Sequence, residues 1–414
     1  MRPQNCGPQY KSKLRECANF AAWTIKKICK DIGPRPAGSD EELKGEEFIA
    51  NQTGKAADQV ITESFDVHRK SFFAFTKIDA ICLTIATIFN LFNMPAIAMV
   101  FTVISAGMIV LFLSYKDYHD RFYPKQTSHN TALIRKPSGE VKRRIIFGGH
   151  VDSSFEWRYT HLGGAPLMYT GFAYPAIGLG WNLVFGIVSL VQGNAFVPST
   201  DITWYGWAGL AFIPGFIMLF FFINYNVCVD GANDNLTGCL CSAAVLKFLD
   251  DNNIRFENTE VVALLTGSEE AGLRGAKAYA KAHKDELKDE NVETMFVGLD
   301  TFKDYDDMFI YNRDMSGFTK HDERCCRLMK KAAQNAGIEM KYSVIFAGAS
   351  DAAAMTQAGV PAVTLAAMNP GPPKYYHTRD DKADILELKT IEKGIEIAIE
   401  AAFIFDEKGL CDNY

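Results

Sequence analysis

The sequence lacks CxxC motifs, runs of basic residues and an N-terminal apolar segment, and each absence argues against a class of protein. Its ten cysteines form no CxxC pair, so a disulfide framework is not expected and a reducing compartment is favoured. The net charge is −6 with acids and bases interspersed, which argues against a nucleic-acid partner. Residues 1–20 contain no continuous apolar core, so we expect no cleaved signal peptide.

Charge is also nearly absent from two long parts of the chain. Residues 78–115 contain one charged residue, Asp79, whereas residues 165–191 and 204–227 contain none. A helix needs about 20 apolar residues to cross a bilayer. Residues 78–115 are therefore long enough for two antiparallel spans, and residues 165–191 and 204–227 together form a second pair of spans. Buried core helices or a hydrophobic lid are the alternatives, and a re-entrant hairpin is a further one for residues 78–115.

The remaining sequence alternates between strand-like and helix-like segments. This alternation predicts an α/β fold with a largely parallel sheet covered by helices on both faces. The domain would be assembled from residues 1–71, 116–164 and 228–414, and two transmembrane helical hairpins, 72–115 and 165–227, would interrupt it. The strands richest in β-branched and aromatic residues are predicted at 59–67, 144–147, 260–265, 295–299, 308–311, 342–346 and 362–365.

Metal-ligand side chains occur in five short motifs, and several of these follow predicted strands directly. Ligands on parallel sheets bind at the carboxyl ends of the strands, where such side chains meet. Two histidines and three carboxylates form a ligand set that zinc accepts. The five residues are His150, Asp234, Glu270, Asp300 and His377.

Each motif alone also has a plainer interpretation. His150 could be a structural histidine, Asp234 could cap the helix that follows, and Glu269 with Glu270 could be a solvated helix start. The glutamate pair is the strongest signal, because two buried acids repel each other unless a metal binds one of them. The second acid is then free to act as a general base.

Two further acids stand close to the histidines in sequence. Asp152 follows His150 by two residues, and Asp381 follows His377 by four. A carboxylate that accepts from a ligand imidazole fixes its tautomer and orientation. We therefore expect each acid to orient its histidine.

Together the motifs resemble the M28 family of zinc metallopeptidases, the co-catalytic dizinc aminopeptidases. The matching segments are GGHVDS, GANDN, EEAGLRGAKAY, LDT, ASDAAAM and YHTRDD, in family order. The resemblance implies a three-layer α/β/α sandwich with a mixed sheet, two zinc ions and hydrolysis of a peptide or amide by a metal-activated water.

The resemblance also implies a role for each site residue. Asp234 would bridge both ions, and Glu269 would be the general base. Glu270 and His377 would bind one zinc ion, and His150 and Asp300 would bind the other. Asp152 would orient His150.

The chain departs from the family pattern in two ways. The histidine that often follows Ser350–Asp351 is Ala352 here, and apolar insertions flank the first ligand motif. Other reactions on the same frame stay open: glutaminyl cyclisation, in which one zinc is typical, or deacylation of N-acyl and lipid-like amides. A non-catalytic membrane receptor is a further alternative, although such a protein should have lost ligands. Arg313, Asn312 and Tyr376 could line a specificity pocket.

Membrane topology constrains the arrangement independently. Ligands precede and follow the second hairpin, so an even number of crossings must separate them if they share one aqueous site. Lysine and arginine flank the spans on the catalytic side, and the hairpin tips at 90–95 and 192–201 contain neither. The positive-inside rule then predicts a multi-pass integral membrane protein with a cytoplasmic catalytic domain.

Overall fold

The structure is a computed structural model that describes residues 6–193, 204–346 and 348–414. The predicted tip at 192–201 lies mostly outside these ranges. Within them, the α-helices are α1 (Cys6–Asp31), α2 (Asp40–Thr53), α3 (Phe75–Leu91), α4 (Pro95–Leu113), α5 (Arg158–Val191), α6 (Trp204–Gly209), α7 (Ile213–Phe220), α8 (Leu236–Asp251), α9 (Arg274–Ala282), α10 (Lys284–Leu287), α11 (Glu323–Asn335), α12 (Asp351–Gln357) and α13 (Leu388–Lys408).

A mixed nine-stranded sheet forms the centre of the domain, and a two-stranded ribbon lies outside it. The strands are β1 (Gln59–Val67), β2 (Gln126–Arg135), β3 (Arg143–His150), β4 (Phe155–Trp157), β5 (Ile223–Cys228), β6 (Thr259–Thr266), β7 (Glu293–Phe302), β8 (Met308–Asp314), β9 (Thr319–Lys320), β10 (Lys341–Val344) and β11 (Ala362–Ala367).

The strand order is β1-β2-β6-β3-β7-β11-β8-β10, with β9 beside β8 and the ribbon formed by β4 and β5. The four central strands β6, β3, β7 and β11 run parallel, whereas β1 and β2 run antiparallel at one edge. The predicted α/β class with a mixed, largely parallel sheet is confirmed.

Helices cover both faces of the sheet because its central strands are apolar on both sides. In β3, Ile145 and Phe147 join a core with α1, α8, α11 and α13, while Ile146 joins a second core with α9 and α12. Alternate residues of a strand point to opposite faces, so a continuous apolar run buries both. This gives the expected three layers.

The predicted strands were found with small differences in their ends, but β2 was missed. Its first half is polar and has no strand-like alternation of apolar residues. The buried polar side chains are satisfied by distant partners: Ser128 donates to Glu42 at 2.8 Å, and Asn130 donates to the carbonyl of Gly275 at 2.9 Å. Such partners exist only after folding.

In the part of the chain that the structure describes, three helical segments are long and apolar enough to cross a membrane: Phe72–Leu91, Pro95–Leu113 and Arg158–Val191. The third bends at Gly164, whose φ of 65° is left-handed, and the predicted span begins at the next residue. The apolar helix Trp204–Phe220 is shorter.

The predicted end of the second hairpin was wrong. Residues 204–227 were expected to form one helix, but the helix ends at Phe220 and β5 begins at Ile223. The β-branched and aromatic residues of this segment pair with β4 in an antiparallel ribbon, with Ile223 opposite Trp157. Apolar composition alone did not distinguish this strand from a continued helix.

The four apolar segments pack together as a bundle with a polar centre. Asn182 of α5 accepts hydrogen bonds from Thr87 and Asn90 of α3, at 3.2 and 3.0 Å. Close packing also requires a small residue, because a Cβ at Gly178 would lie 2.6 Å from the ring of Phe216. Large apolar side chains on the outer surface of α4 and α5 are exposed, among them Val100, Val103, Val110, Ile177, Val184 and Ile187.

Candidate metal centre

The centre lies where parallel strands end at the same edge of the sheet. His150 is the last residue of β3 and pairs in register with Thr266, the last residue of β6. The Glu269–Glu270 pair follows β6, and Asp300 lies near the end of β7. Parallel register therefore brings these side chains to one edge.

Asp234 reaches this edge because α8 packs very closely on β3. A Cβ at Gly149 would lie 2.5 Å from the backbone nitrogen of Cys239, so only glycine allows the approach. The loop before α8 then places the Asp234 carboxylate beside His150, with 3.2 Å between Oδ1 and Nε2.

The five predicted ligands form two groups that share Asp234. Ligand atoms of His150, Asp234 and Asp300 lie within 4.8 Å of one another, and so do those of Asp234, Glu270 and His377. In the second group, Nε2 of His377 is 3.1 Å from Oδ2 of Asp234 and 3.2 Å from Oε1 of Glu270. The structure brings together all five side chains that the sequence singled out.

The side chains of these two groups are suited to bind divalent cations, because without a cation their buried carboxylates would repel one another. Two buried oxygens, Oδ2 of Asp234 and Oε1 of Glu270, face the same ring nitrogen of His377, and neither forms a hydrogen bond of regular geometry in the described part of the chain. Burial, with the charge of Asp234 adding to it, raises the pKa of the Asp300 carboxyl to about 7. Tetrahedral zinc with bonds near 2.0–2.1 Å separates its ligand atoms by about 3.3 Å, close to the 3.1–3.2 Å found here.

Glu269 lies beside both groups without belonging to either. Its Oε2 is 3.9 Å from Nε2 of His150, and its side chain lines the cavity in front of the centre. Burial raises the pKa of Glu269 well above its usual value; His150 opposes this shift and Glu270 adds to it. A carboxylate in this position can exchange a proton with a group in the cavity.

Asp152 contacts both sides of the centre. Its carboxylate lies 3.4 Å from Nδ1 of His150, and the same ring nitrogen lies 3.1 Å from the Asp152 carbonyl. The carboxylate also accepts the backbone N–H groups of Glu269 and Glu270, at 2.9 and 3.0 Å. It therefore positions the histidine and the glutamate turn together.

Asp381 does not orient His377, contrary to the sequence-based expectation. It accepts the backbone N–H of Asn233 at 2.9 Å and that of Asp234 at 3.1 Å. The ring of His377 is instead stacked on Tyr376 at a centroid distance of 3.9 Å, with Trp157 edge-on at 4.5 Å. Aromatic packing holds this histidine, and Asp381 holds the Asp234 loop.

The other residues noted in the sequence divide between the cavity and its surroundings. Ser350 donates to the buried Asp314 at 2.6 Å, and Asp351 accepts from Thr266 at 2.5 Å, so both have buried partners, and neither lines the cavity. Of the three residues expected in a specificity pocket, Tyr376 lines the cavity, whereas Arg313 and Asn312 do not.

Arg35 was not singled out by the sequence, because its contacts are with residues far away in the chain. The side chain is fully buried, and its guanidinium donates to the carbonyls of Gly33, Val151 and Gly231 at 2.8, 2.7 and 3.1 Å. Val151 follows His150, and Gly231 begins the Asp234 loop. One arginine thus connects both ligand loops, a link that a single sequence does not reveal.

The centre opens into a cavity of about 440 Å³. Its walls include the metal-ligand residues, loop residues around Phe346, and side chains from α3, α4, α5 and α7. Trp157, also missed in the sequence, stands between the centre and the helical part. The cavity therefore continues from the strand ends into the apolar bundle.

Residues 220–402 match the family model described as Peptidase family M28. That segment contains Asp234, Glu269, Glu270, Asp300 and His377, whereas the first ligand motif precedes it. The matched part of the chain is thus similar to the M28 peptidases. None of the curated proteins matches the sequence.

Solved structures share the fold over almost the whole chain. BSAP, a zinc aminopeptidase from Bacillus subtilis, has a TM-score of 0.55 at 14% identity over 94% of this chain and 95% of that one. An aminopeptidase from Aneurinibacillus sp. strain AM-1 has a TM-score of 0.55 at 15% identity over 94% and 93%.

A glutaminyl cyclase from an Acidobacteriales bacterium is similar to the same degree. Its TM-score is 0.53 at 13% identity, and the match covers 95% of each chain. Likeness at these identities establishes the fold that this chain shares with the aminopeptidases and the cyclase, and leaves the reaction to the chemistry of the site.

Proposed function

We propose that this protein is a membrane-embedded dizinc hydrolase that cleaves amide bonds, in the first place the N-terminal peptide bond of a peptide. The observation that carries the proposal is the sharing of Asp234 between two three-residue groups. A carboxylate has two oxygens, so one residue can serve two cations. The buried acids around it would otherwise repel one another.

The residues of the chain divide the chemistry between them. Zinc, when bound, would lower the pKa of its water and would polarise the carbonyl group of the substrate. Glu269 accepts the proton of the attacking water on its carboxylate and then donates it to the leaving nitrogen. Asp152 acts as a positioning residue, because it fixes His150 and the turn that carries Glu269 in one geometry. His150, Asp300, Glu270 and His377 complete the two ligand groups around Asp234.

Membrane insertion is supported by the surface of the helical bundle. The most apolar stretch of α4 is only 17% buried within the protein, and α4 is also the most apolar of the candidate spans. Exposed aromatic residues stand at both ends of the bundle, with Trp204 and Trp207 near one end and Tyr118 and Phe122 near the other. Aromatic belts of this kind are typical of the two membrane interfaces.

Glutaminyl cyclisation is the second candidate, because the similarity to the Acidobacteriales cyclase equals that to the aminopeptidases. A cyclase needs no external water as attacking group, since the substrate amine attacks its own side-chain amide. The number of bound zinc ions separates the two candidates, as two are expected for the hydrolase and one for the cyclase.

The test uses the full chain, purified in lipid nanodiscs, with zinc measured in the same samples. Aminoacyl anilides, dipeptides, N-acyl amino acids and an N-terminal glutaminyl peptide form the substrate panel. We expect two zinc ions per chain and release of N-terminal residues that is lost in Glu269→Gln. One zinc with cyclisation of the glutaminyl peptide, or hydrolysis that persists in Glu269→Gln, would overturn the proposal.

A further inference from the structure

The cavity in front of the metal centre extends far into the helical bundle along a row of aromatic side chains. The ring of Trp157 lies 4.5 Å from His377 and 5.9 Å from Phe73, and Phe73 lies 6.5 Å from Phe75. Phe75 begins α3, which then runs into the apolar bundle. The metal-binding end and the bundle end are therefore parts of one continuous space.

Asp79 stands one helical turn beyond Phe75, about 6 Å further along α3. Its side chain lines the cavity, yet it is fully buried, and neither carboxylate oxygen has a hydrogen-bond donor among the described residues. The hydroxyl of Ser105 on α4 is the polar neighbour of this carboxyl, although the two form no hydrogen bond of regular geometry in the described part of the chain. The surrounding lining is apolar and includes Leu83 and Leu219.

An unpaired acid inside an apolar bundle is costly, so its presence points to function rather than to stability. A structural role would show as a hydrogen bond to a neighbouring helix, as Asn182 makes to α3 in the same bundle. Asp79 makes none. A donor on a bound molecule would satisfy both of its oxygens. An ammonium group fits best, since it carries three donors and the opposite charge.

Residues of the cavity lining are also partly exposed in two chemically different places. Leu113 of α4 and Tyr169 of α5 line it and are 37% and 43% exposed, on the outer surface of the apolar bundle. Phe346, at the metal-binding end, lines it and is 81% exposed beside the α/β domain. A molecule with a polar end and a long apolar part would match these two surroundings.

We propose that the substrate is an amphiphilic amide whose long apolar chain lies in the bundle cavity and carries an ammonium group that pairs with Asp79. This inference rests on the proposed hydrolase function and deepens it by naming the substrate class. The volume of about 440 Å³ is within the range of small-molecule pockets. The scissile amide lies at the metal centre, and the chain extends along α3.

The first test measures hydrolysis by the full chain in nanodiscs. The substrates are anilides of straight-chain acids of graded length, each with either a terminal amine or a terminal methyl group. The wild-type protein should prefer the amine at one chain length by about tenfold, the effect of one charge-assisted hydrogen bond. The preference should disappear in Asp79→Asn and persist in Ser105→Ala, the matched control in the same helix contact.

The second test measures binding without turnover. A long-chain terminal amine with an uncleavable amide is titrated into zinc-loaded Glu269→Gln protein and followed by tryptophan fluorescence, to which Trp157 contributes. Affinity should fall about tenfold when Asp79→Asn is added. Removal of an unpaired buried charge should not lower the unfolding temperature, so loss of folding does not explain the result.

The outcomes separate the inference from the proposed function. Zinc-dependent hydrolysis of alanyl anilide without any amine preference would overturn the role of Asp79 and leave the hydrolase intact. Equal losses in Asp79→Asn and Ser105→Ala would also overturn it, because they would indicate a structural pair. Tight, Asp79-dependent binding without hydrolysis of any substrate would support the amphiphile site and reject the hydrolase.

Discussion

Asp152 accepts the backbone N–H of Glu270 through Oδ2 at 3.0 Å. The contact joins the loop after β3 to the turn after β6, and the same carboxylate lies 3.4 Å from Nδ1 of His150. The spacing between His150 and the glutamate pair is thereby set by one fully buried side chain.

Asp152→Asn should weaken zinc binding while the fold is kept. The asparagine side chain can accept one of the two backbone N–H groups, but its own NH₂ group then faces the other donor. Loss of a residue that supports a ligand typically lowers metal affinity about 10–100-fold. Competition with a zinc chelator measures the change, and unaltered affinity would contradict the positioning role.

Glu269→Gln and Glu270→Gln should have different effects, although the residues are adjacent. Glu269→Gln should keep two zinc ions and lose about 10²–10⁴-fold in turnover, the usual contribution of a general base. Glu270→Gln should lose zinc from the group that contains His377. Metal content and turnover measured on both variants check this; equal zinc loss in both would reject the assignment.

Arg35→Lys should destabilise the protein by about 3 kcal/mol, because a single ammonium cannot reach three backbone carbonyls and leaves buried acceptors unpaired. Arg15→Lys is the matched control, since Arg15 is half exposed and pairs only with Glu392 among the described residues. Thermal unfolding of zinc-free proteins measures the difference. Similar midpoints for the two variants would contradict the proposed link between the ligand loops.

The stability contributed by Glu156 should be lost in acid. Its hydrogen bonds with Arg379 lower the pKa of Glu156 from 4.5 to about 2, against the effect of burial. A carboxyl whose folded pKa is lowered contributes stability above its unfolded pKa and loses it as pH falls through the folded value. The unfolding temperatures of wild type and Glu156→Gln should therefore differ by a constant amount above pH 4.5 and converge towards about pH 2. A gap that is independent of pH would argue against the ion pair.

The catalytic domain should lie on the cytoplasmic side of the membrane. Lys116 and Arg158 stand at the ends of the spans next to the α/β domain, and the turn between α3 and α4 has no basic residue. Such asymmetry sets orientation during insertion. Protease should digest the domain in inside-out vesicles and spare it in intact cells, and protection in the vesicles would reverse the proposed orientation.

Much of the candidate site could be predicted because its residues occur in short motifs that are recognisable in the sequence. His150, the glutamate pair and Asp300 follow apolar strands, and parallel strands bring their carboxyl ends together. Asp381 shows the limit of this reasoning. Its sequence distance from His377 suggested a contact, but the turn after the histidine directs the carboxylate to the backbone of the Asp234 loop.

The sequence by itself determined the alternation of strands and helices, the ligand types and the apolar segments, since these depend on periodicity and composition. Tertiary structure decided how β2 satisfies its buried polar groups, where the fourth apolar segment changes from helix to strand, and which loops Arg35 connects. It also placed Asp79 in the same cavity as His150 and Glu269. These relationships join residues that are far apart in the chain, so their energies arise only when the packed elements bring them into contact.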